Sequence, residues 1–243
     1  LLNELHERKL DTVYQQREKL VYKQLEDYSI KDEFYFQKMY ELARVNTFHY
    51  KFIKTGYAFD LIQNEFDVFL QYSIIVLLRN YSKMLTNKNH GNIDFNLGMF
   101  DQVWEYVKDK DFNNNPSIKI YKQLITLEIS KDEKDYRTLL SVKDRFGENL
   151  SKEDIYYVLL VANSYAVSKI KLGDESYYKE RYKILREIVE RKIQLPDNIL
   201  FVNFTNTFTA ACMADDFEWA NEFLLQFQNG ITPAEERSNS VNF

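Results

Sequence analysis

Few residues let a chain reverse direction cheaply, and this one has almost none of them: six Gly and three Pro among 243 residues, against a usual combined share of roughly 12%. A many-stranded fold needs Gly, Pro or Asn-Gly at each hairpin. Helices can run for several turns between breaks. The apolar content, 45% of the chain with 18 Tyr, 18 Phe and 2 Trp, is ample for a buried core. The class these facts select is all-α.

The helix signals agree. Ser130 with Glu133 reads as a capping box, Ser151 with Asp154 as another, and Asn115-Pro116 as a cap followed by a proline at the first helical position. Thr232-Pro233-Ala234-Glu235 has the same form. Gly147, Gly173 and Gly230 stand where helices should close in the left-handed conformation. Between these signals apolar residues recur at helical spacing, as in Leu70, Ile74, Leu77, Tyr81 and Leu85, and in Phe217, Ala220, Phe223, Leu224 and Phe227. The pattern predicts helices near 2–28, 32–54, 59–87, 98–110, 117–129, 132–146, 152–171, 175–193, 197–213 and 216–229, and an eleventh from Pro233. Period-two alternation is nowhere sustained, so no sheet is expected, and no linker divides the 243 residues into domains.

A loose internal repeat organises the helices. Phe100-x-x-Val103-x-x-Tyr106 returns as Tyr136-x-x-Leu139-x-x-Val142, as Tyr178-x-x-Arg181-x-x-Ile184 with its middle position broken, and as Phe217-x-x-Ala220-x-x-Phe223. The steps of 36, 42 and 39 residues hold two helices and two turns, the length of a hairpin that buries its apolar stripe by stacking on the next. Phe100, Tyr136, Phe217 and Phe223 are the expected seam residues.

Asp216-Phe217-Glu218-Trp219-Ala220-Asn221-Glu222-Phe223, followed by Pro233, resembles the second helix of a tetratricopeptide (TPR) repeat and the proline after it. The first-helix signature of that family is absent, with Phe208, Cys212 and Asp215 in its region. The likeness is to the helical-repeat superfamily. The stretch from Asn203 to Phe243 resembles, more specifically, a family of long, uncharacterised bacterial helical-repeat proteins, with similar spacing over most of the chain, including Phe66 to Val107. The resemblance implies an αα-hairpin superhelix of about five units and carries over no functional residue.

Charge and cysteine bear on function. Formal net charge is −5. Residues 1–200 balance, so the imbalance lies at the C-terminal end, where Arg237 faces Asp215, Asp216, Glu218, Glu222, Glu235 and Glu236. Nucleic acid is disfavoured there, because phosphate contacts need a positive stripe. The lone Cys212 excludes an internal disulfide and points to a reducing, cytoplasmic setting. The longest apolar run, Ile74 to Leu78, is closed by Arg79, which argues against a membrane span.

Chemistry leaves no local signature. Neither glycine-rich phosphate loop is present, nor a G-x-S-x-G elbow, nor a zinc or di-iron histidine motif, so no cofactor and no metal are expected. His6, His49 and His90 lie far apart in sequence; His49 reads as a partly buried helical residue, His90 as a loop residue, and Cys212 as core. The acids at 215–222 read as first-turn residues favoured by the helix dipole. The basic-aromatic segment Tyr177 to Lys192 reads as a solvated face with links such as Lys183 to Glu187.

The function expected is therefore a non-enzymatic scaffold binding a protein or peptide on first-helix positions, with Tyr121, Tyr156, Asn163 and Asn206 as the residues to watch. A nucleic-acid-binding solenoid, or an enzyme whose site is assembled across repeats, remains open as an alternative. The chain starts at Leu1 without Met and stops soon after Pro233, so a piece of a longer solenoid is expected. Its last helix, through Val241 and Phe243, should then fray or pack on a neighbouring molecule. Low hydrogen-exchange protection after Gly230 is the expected result in a dilute monomer, and full protection there would sink the idea.

Overall fold

The computed structural model describes residues 1–53, 59–91, 93–112, 115–193, 199–227 and 231–232. The helix expected from Pro233, and the closing role expected of Gly230, lie outside them. The described residues are all-helical in class, with eleven α-helices. Packing gathers them into two compact units, Leu1–Ser151 and Lys152–Phe243, where the sequence, lacking any linker, reads as one continuous domain.

Unit 1 holds α1 (Leu2–Glu7), α2 (Asp11–Glu26), α3 (Glu33–Ile53), α4 (Phe59–Gly91), α5 (Phe100–Val107), α6 (Pro116–Ser130), α7 (Glu133–Phe146) and a 3-10 turn, Gly147–Asn149. The main packing runs from α3 to α4, from α4 to α6 and from α6 to α7. The short α5 meets α4 through an edge-on contact of Phe100 with Tyr81, 5.1 Å between ring centres. The core is Ile74, Ile75 and Leu78 of α4, Ile118, Leu124 and Ile125 of α6, and Tyr136 and Leu139 of α7. A buried carboxylate joins α4 to α6: Glu128 accepts from Thr86 Oγ1 at 3.0 Å and from Asn89 Nδ2 at 2.6 Å, and pairs with Lys131.

Unit 2 holds α8 (Lys152–Lys171), α9 (Tyr177–Glu190), α10 (Phe201–Met213) and α11 (Phe217–Phe227). Two-residue strands, β1 (Ile199–Leu200) and β2 (Ile231–Thr232), pair in parallel, a small departure from the expected absence of any sheet. Each helix packs on the next, α8 on α9, α9 on α10 and α10 on α11. Ala210 and Ala211 are buried where α10 meets its neighbours, and their small side chains permit close approach. An aromatic stack fills the rest: Phe204 on Phe223 at 5.3 Å and Phe223 on Trp219 at 5.2 Å between ring centres.

The periodic reading needs four corrections. The segment 2–28 is two helices, because Lys9 takes a left-handed backbone (φ 58) and the amides of Lys9 and Leu10 close on the carbonyls of His6 and Leu5. The α4 stripe turns by one position: Leu78 is fully buried and Leu77 is 37% exposed. Phe217 is 62% exposed and not a seam residue; the buried positions of α11 are Ala220, Phe223 and Phe227. Their i, i+3, i+7 spacing matches Tyr136, Leu139 and Lys143 of α7, so the buried register steps by seven where the sequence motif stepped by six. Finally, α4 runs through His90, which is helical and not a loop residue.

Helix ends follow the sequence where proline sets them. Asn115 Oδ1 accepts from the Ile118 amide at 3.2 Å, with Pro116 at the first position of α6. The Ser130–Glu133 box does not form. Asp132 caps α7 instead, accepting from Lys134 N, while Ser130 Oγ donates to Asp135 at 2.6 Å. Gly173 closes α8 with φ 93, but Gly147 stays right-handed and continues into the 3-10 turn. The remaining left-handed closures fall on Lys131, Lys192 and Asp215.

By length and composition α4 could also cross a bilayer: an 18-residue window within Phe59–Asn89 has a mean hydropathy of 1.3, with 22% of that window buried. The helix nevertheless carries Glu65, Asp67 and Arg79, and Arg79 pairs with Glu33 of α3. Its segment around Ile74 to Ser82 lies in the unit 1 core.

A side chain in the left-handed region carries a strain of roughly 1–2 kcal/mol, partly offset by the extra unfolded-state freedom glycine would bring. Lys131→Gly should therefore stabilise the chain by about 0.5–1 kcal/mol in urea denaturation, and Gly173→Ala should destabilise it by about 1 kcal/mol.

Candidate functional site

Three helices of unit 2 present aligned stripes to one cavity. On α8 these are Tyr156, Leu160 and Asn163, at i, i+4 and i+7; on α9, Leu185, Ile188 and Val189; on α10, Asn203, Asn206 and Thr207, with Ile193 completing the wall. The cavity measures about 110 Å³. Its lining mixes branched aliphatic side chains with amides and hydroxyls. That composition suits an apolar group held in place by a few polar contacts.

The polar lining is incompletely satisfied. Asn163 Oδ1 is buried without a hydrogen-bond partner, a state that costs about 1–3 kcal/mol for a buried acceptor. Arg181, one turn before Leu185 on α9, donates from Nη2 to Asn206 Oδ1 at 3.1 Å, while its Nε is buried and unpartnered. Among the described residues no carboxylate pairs with Arg181, and burial pulls its guanidinium below the ordinary arginine value. Burial likewise raises the Tyr156 hydroxyl.

Of the four residues singled out from sequence, the structure brings Tyr156, Asn163 and Asn206 to this cavity. Tyr121 belongs elsewhere: it is 2% exposed in the core of unit 1, because its face of α6 is shared with Leu124 and Ile125, both fully buried. Sequence reading treated Arg181 as a flaw in the repeat, and that break in an apolar position was the available signal for it.

The basic and acidic runs have mostly structural partners. Arg186 pairs with Glu190 at 2.6 Å and Arg191 with Glu187 at 2.8 Å; Lys183 pairs with Glu180 at 3.7 Å rather than with Glu187. Asp216 caps α11, accepting from Trp219 N at 3.1 Å, and reaches α9 by accepting from Tyr182 Oη at 2.6 Å and Arg186 Nη1 at 3.2 Å. These donors hold its carboxyl below the usual range, while burial and the Asp216 carboxylate push the Tyr182 hydroxyl up to about 12. Cys212 is partly buried against the Ala210–Ala211 cluster.

A second polar cluster, in unit 1, joins residues far apart in sequence. His6 Nδ1 of α1 and His49 Nδ1 of α3 lie 3.0 Å apart, so one donates and the other accepts. His49 is fully buried, not partly. It stacks on Tyr14 with ring centres 3.5 Å apart, and its Nε2 has no hydrogen-bond partner, with Asp11 Oδ1 at 4.0 Å. Beside it, Tyr14 Oη donates to Asn46 Oδ1 at 2.7 Å, Asn46 Nδ2 to Glu18 Oε1 at 2.7 Å, and Tyr50 Oη to Glu18 Oε2 at 2.8 Å. Among the described residues no group of three or more His, Cys, Asp or Glu could hold a metal.

No protein-family model, curated protein or solved structure matches the chain.

Burial, then His6, pull the His49 imidazole below its ordinary value, against the opposing pull of Asp11 and Glu18. A histidine depressed in the fold binds fewer protons than its unfolded counterpart, so its cost appears as pH falls below the ordinary imidazole range, about 6.5, and vanishes above it. Urea unfolding should accordingly show lower stability at pH 5 than at pH 7.5, and His49→Asn should reduce that difference.

Proposed function

We propose that the chain is a non-enzymatic helical-repeat scaffold, a TPR-like stack of hairpins, that binds a protein or peptide segment. The observation that carries this reading is the unit 2 cavity, where aliphatic side chains line the same space as the unpartnered acceptor of Asn163. Extended peptide supplies both complements, an apolar side chain and a backbone N–H. The succession of α8, α9, α10 and α11, each packed on the next, supports the stacked-hairpin form, since such stacks present continuous faces to chain segments.

The test is a cellulose-bound peptide array probed with the folded chain and with a Leu160→Trp variant. Leu160 lies at the cavity and is 37% exposed, so the indole can block the opening without overfilling a core. The expected result is a set of bound peptides whose signal drops at least about tenfold in the variant at an unchanged Tm. Absence of any bound peptide, or equal binding by the variant, would refute the reading.

A further inference from the structure

Arg181 has no structural use that matches its cost. A guanidinium taken partly out of water needs an acceptor of matching charge. Yet its Nε is buried without a partner, and its one bond is to the neutral Asn206 amide. Arg186 on the same helix and Arg191 just past its end both hold carboxylates. Asn206 also lines the cavity, so the guanidinium, which has no carboxylate partner among the described residues, lies one hydrogen bond from a pocket of mixed aliphatic and polar lining. The two features point the same way: the occupant supplies both the missing anion and the apolar group.

Size and polarity narrow the occupant further. A cavity of about 110 Å³ is smaller than the roughly 150 Å³ that accommodates benzene, so a branched aliphatic side chain suits it better than an aromatic one. Asn163 Oδ1 requires a donor, and no acidic residue lines the cavity. An ammonium would be desolvated there without a counter-charge, whereas an amide N–H would not. That excludes a free amino acid in favour of a peptide.

The geometry points to an acidic peptide segment as the ligand: a Val, Leu or Ile side chain fills the cavity, a backbone N–H donates to Asn163 Oδ1, and a carboxylate engages the Arg181 guanidinium. This rests on the peptide-binding reading above and specifies its chemistry. The carboxylate has two sources, an adjacent Asp or Glu side chain or the chain's own C-terminus, and Arg recognises either through paired N–H donors.

Fluorescein-labelled heptapeptide pools with random flanks separate these cases: one fixed as Leu-Glu at the centre, one as Leu-Gln, one as Ser-Glu, and one ending in Leu with a free carboxylate, beside its C-terminal amide. Fluorescence anisotropy with the complete chain should show the Leu-Glu pool or the free-carboxylate Leu pool bound at least about tenfold more tightly than its uncharged counterpart, as one charge-assisted contact implies. Arg181→Gln should remove that preference and leave weak Leu-dependent binding, and Arg181→Lys should restore part of it. With the unaltered chain, raising NaCl from about 0.05 to about 0.5 M should weaken the acidic pools selectively, a readout that needs no variant to fold. Preference for Leu-Glu over free-carboxylate Leu identifies a side-chain acid, and the reverse a C-terminus. Equal binding of charged and uncharged pools overturns the carboxylate assignment while the peptide-binding reading stands. Equal binding of Leu-Glu and Ser-Glu overturns the aliphatic anchor. No binding by any pool overturns this inference, and the array decides separately whether peptide binding survives.

Discussion

The turn Ala214–Asp215–Asp216 sets the arrangement of unit 2. Asp215 takes the left-handed backbone (φ 63) that ends α10, and the Asp216 amide returns to Ala211 O at 3.1 Å. One residue later the Asp216 side chain starts α11 and reaches Tyr182 and Arg186 on α9. A single turn thus joins three helices, with both ends of its charge satisfied: the first-turn amide of α11 and the guanidinium of Arg186. That junction fixes the facing of α9 and α10, and the facing in turn sets Arg181 against Asn206. The acids there read in sequence as first-turn residues favoured by the helix dipole, and one of them, Asp216, both caps α11 and ties it to α9.

Much of this fold was legible because helix periodicity is a local signal. Nine of the ten predicted ranges each overlap a single observed helix, and the tenth, 2–28, overlaps two; the Asn115-Pro116 start is as read. What escaped was set by tertiary competition or by backbone strain that leaves no residue-type mark. Lys9 carries no glycine-like signal, and its left-handed turn is held by the closing amides and by Leu5 and Tyr14, buried on either side. Tyr121 and Leu77 were misplaced because an apolar residue one position around a helix still satisfies the period, and only the neighbouring helix decides which face is covered.

The candidate site was legible in part. Tyr156, Asn163 and Asn206 were chosen as polar residues on first helices of hairpins, and three facing helices do converge on them. Arg181 was hidden because a repeat pattern scores a cation at an apolar position as noise. The His6–His49 contact joins positions 43 residues apart, and no spacing rule links α1 to α3. Both omissions concern polar groups in apolar settings, where sequence reports the residue and only packing reports its cost.

The chain's two tryptophans, Trp104 and Trp219, fall one in each compact unit. Trp104 stacks on Phe100 at 6.2 Å, and Trp219 lies edge-on to Tyr182 at 5.5 Å and beneath the Arg186 guanidinium. Each unit therefore contains its own fluorophore, in a different electrostatic surrounding. A single-tryptophan chain, with Phe at the other position, would report the opening of one unit by emission alone. Two such chains, one for each tryptophan, would follow the two units separately without any attached dye.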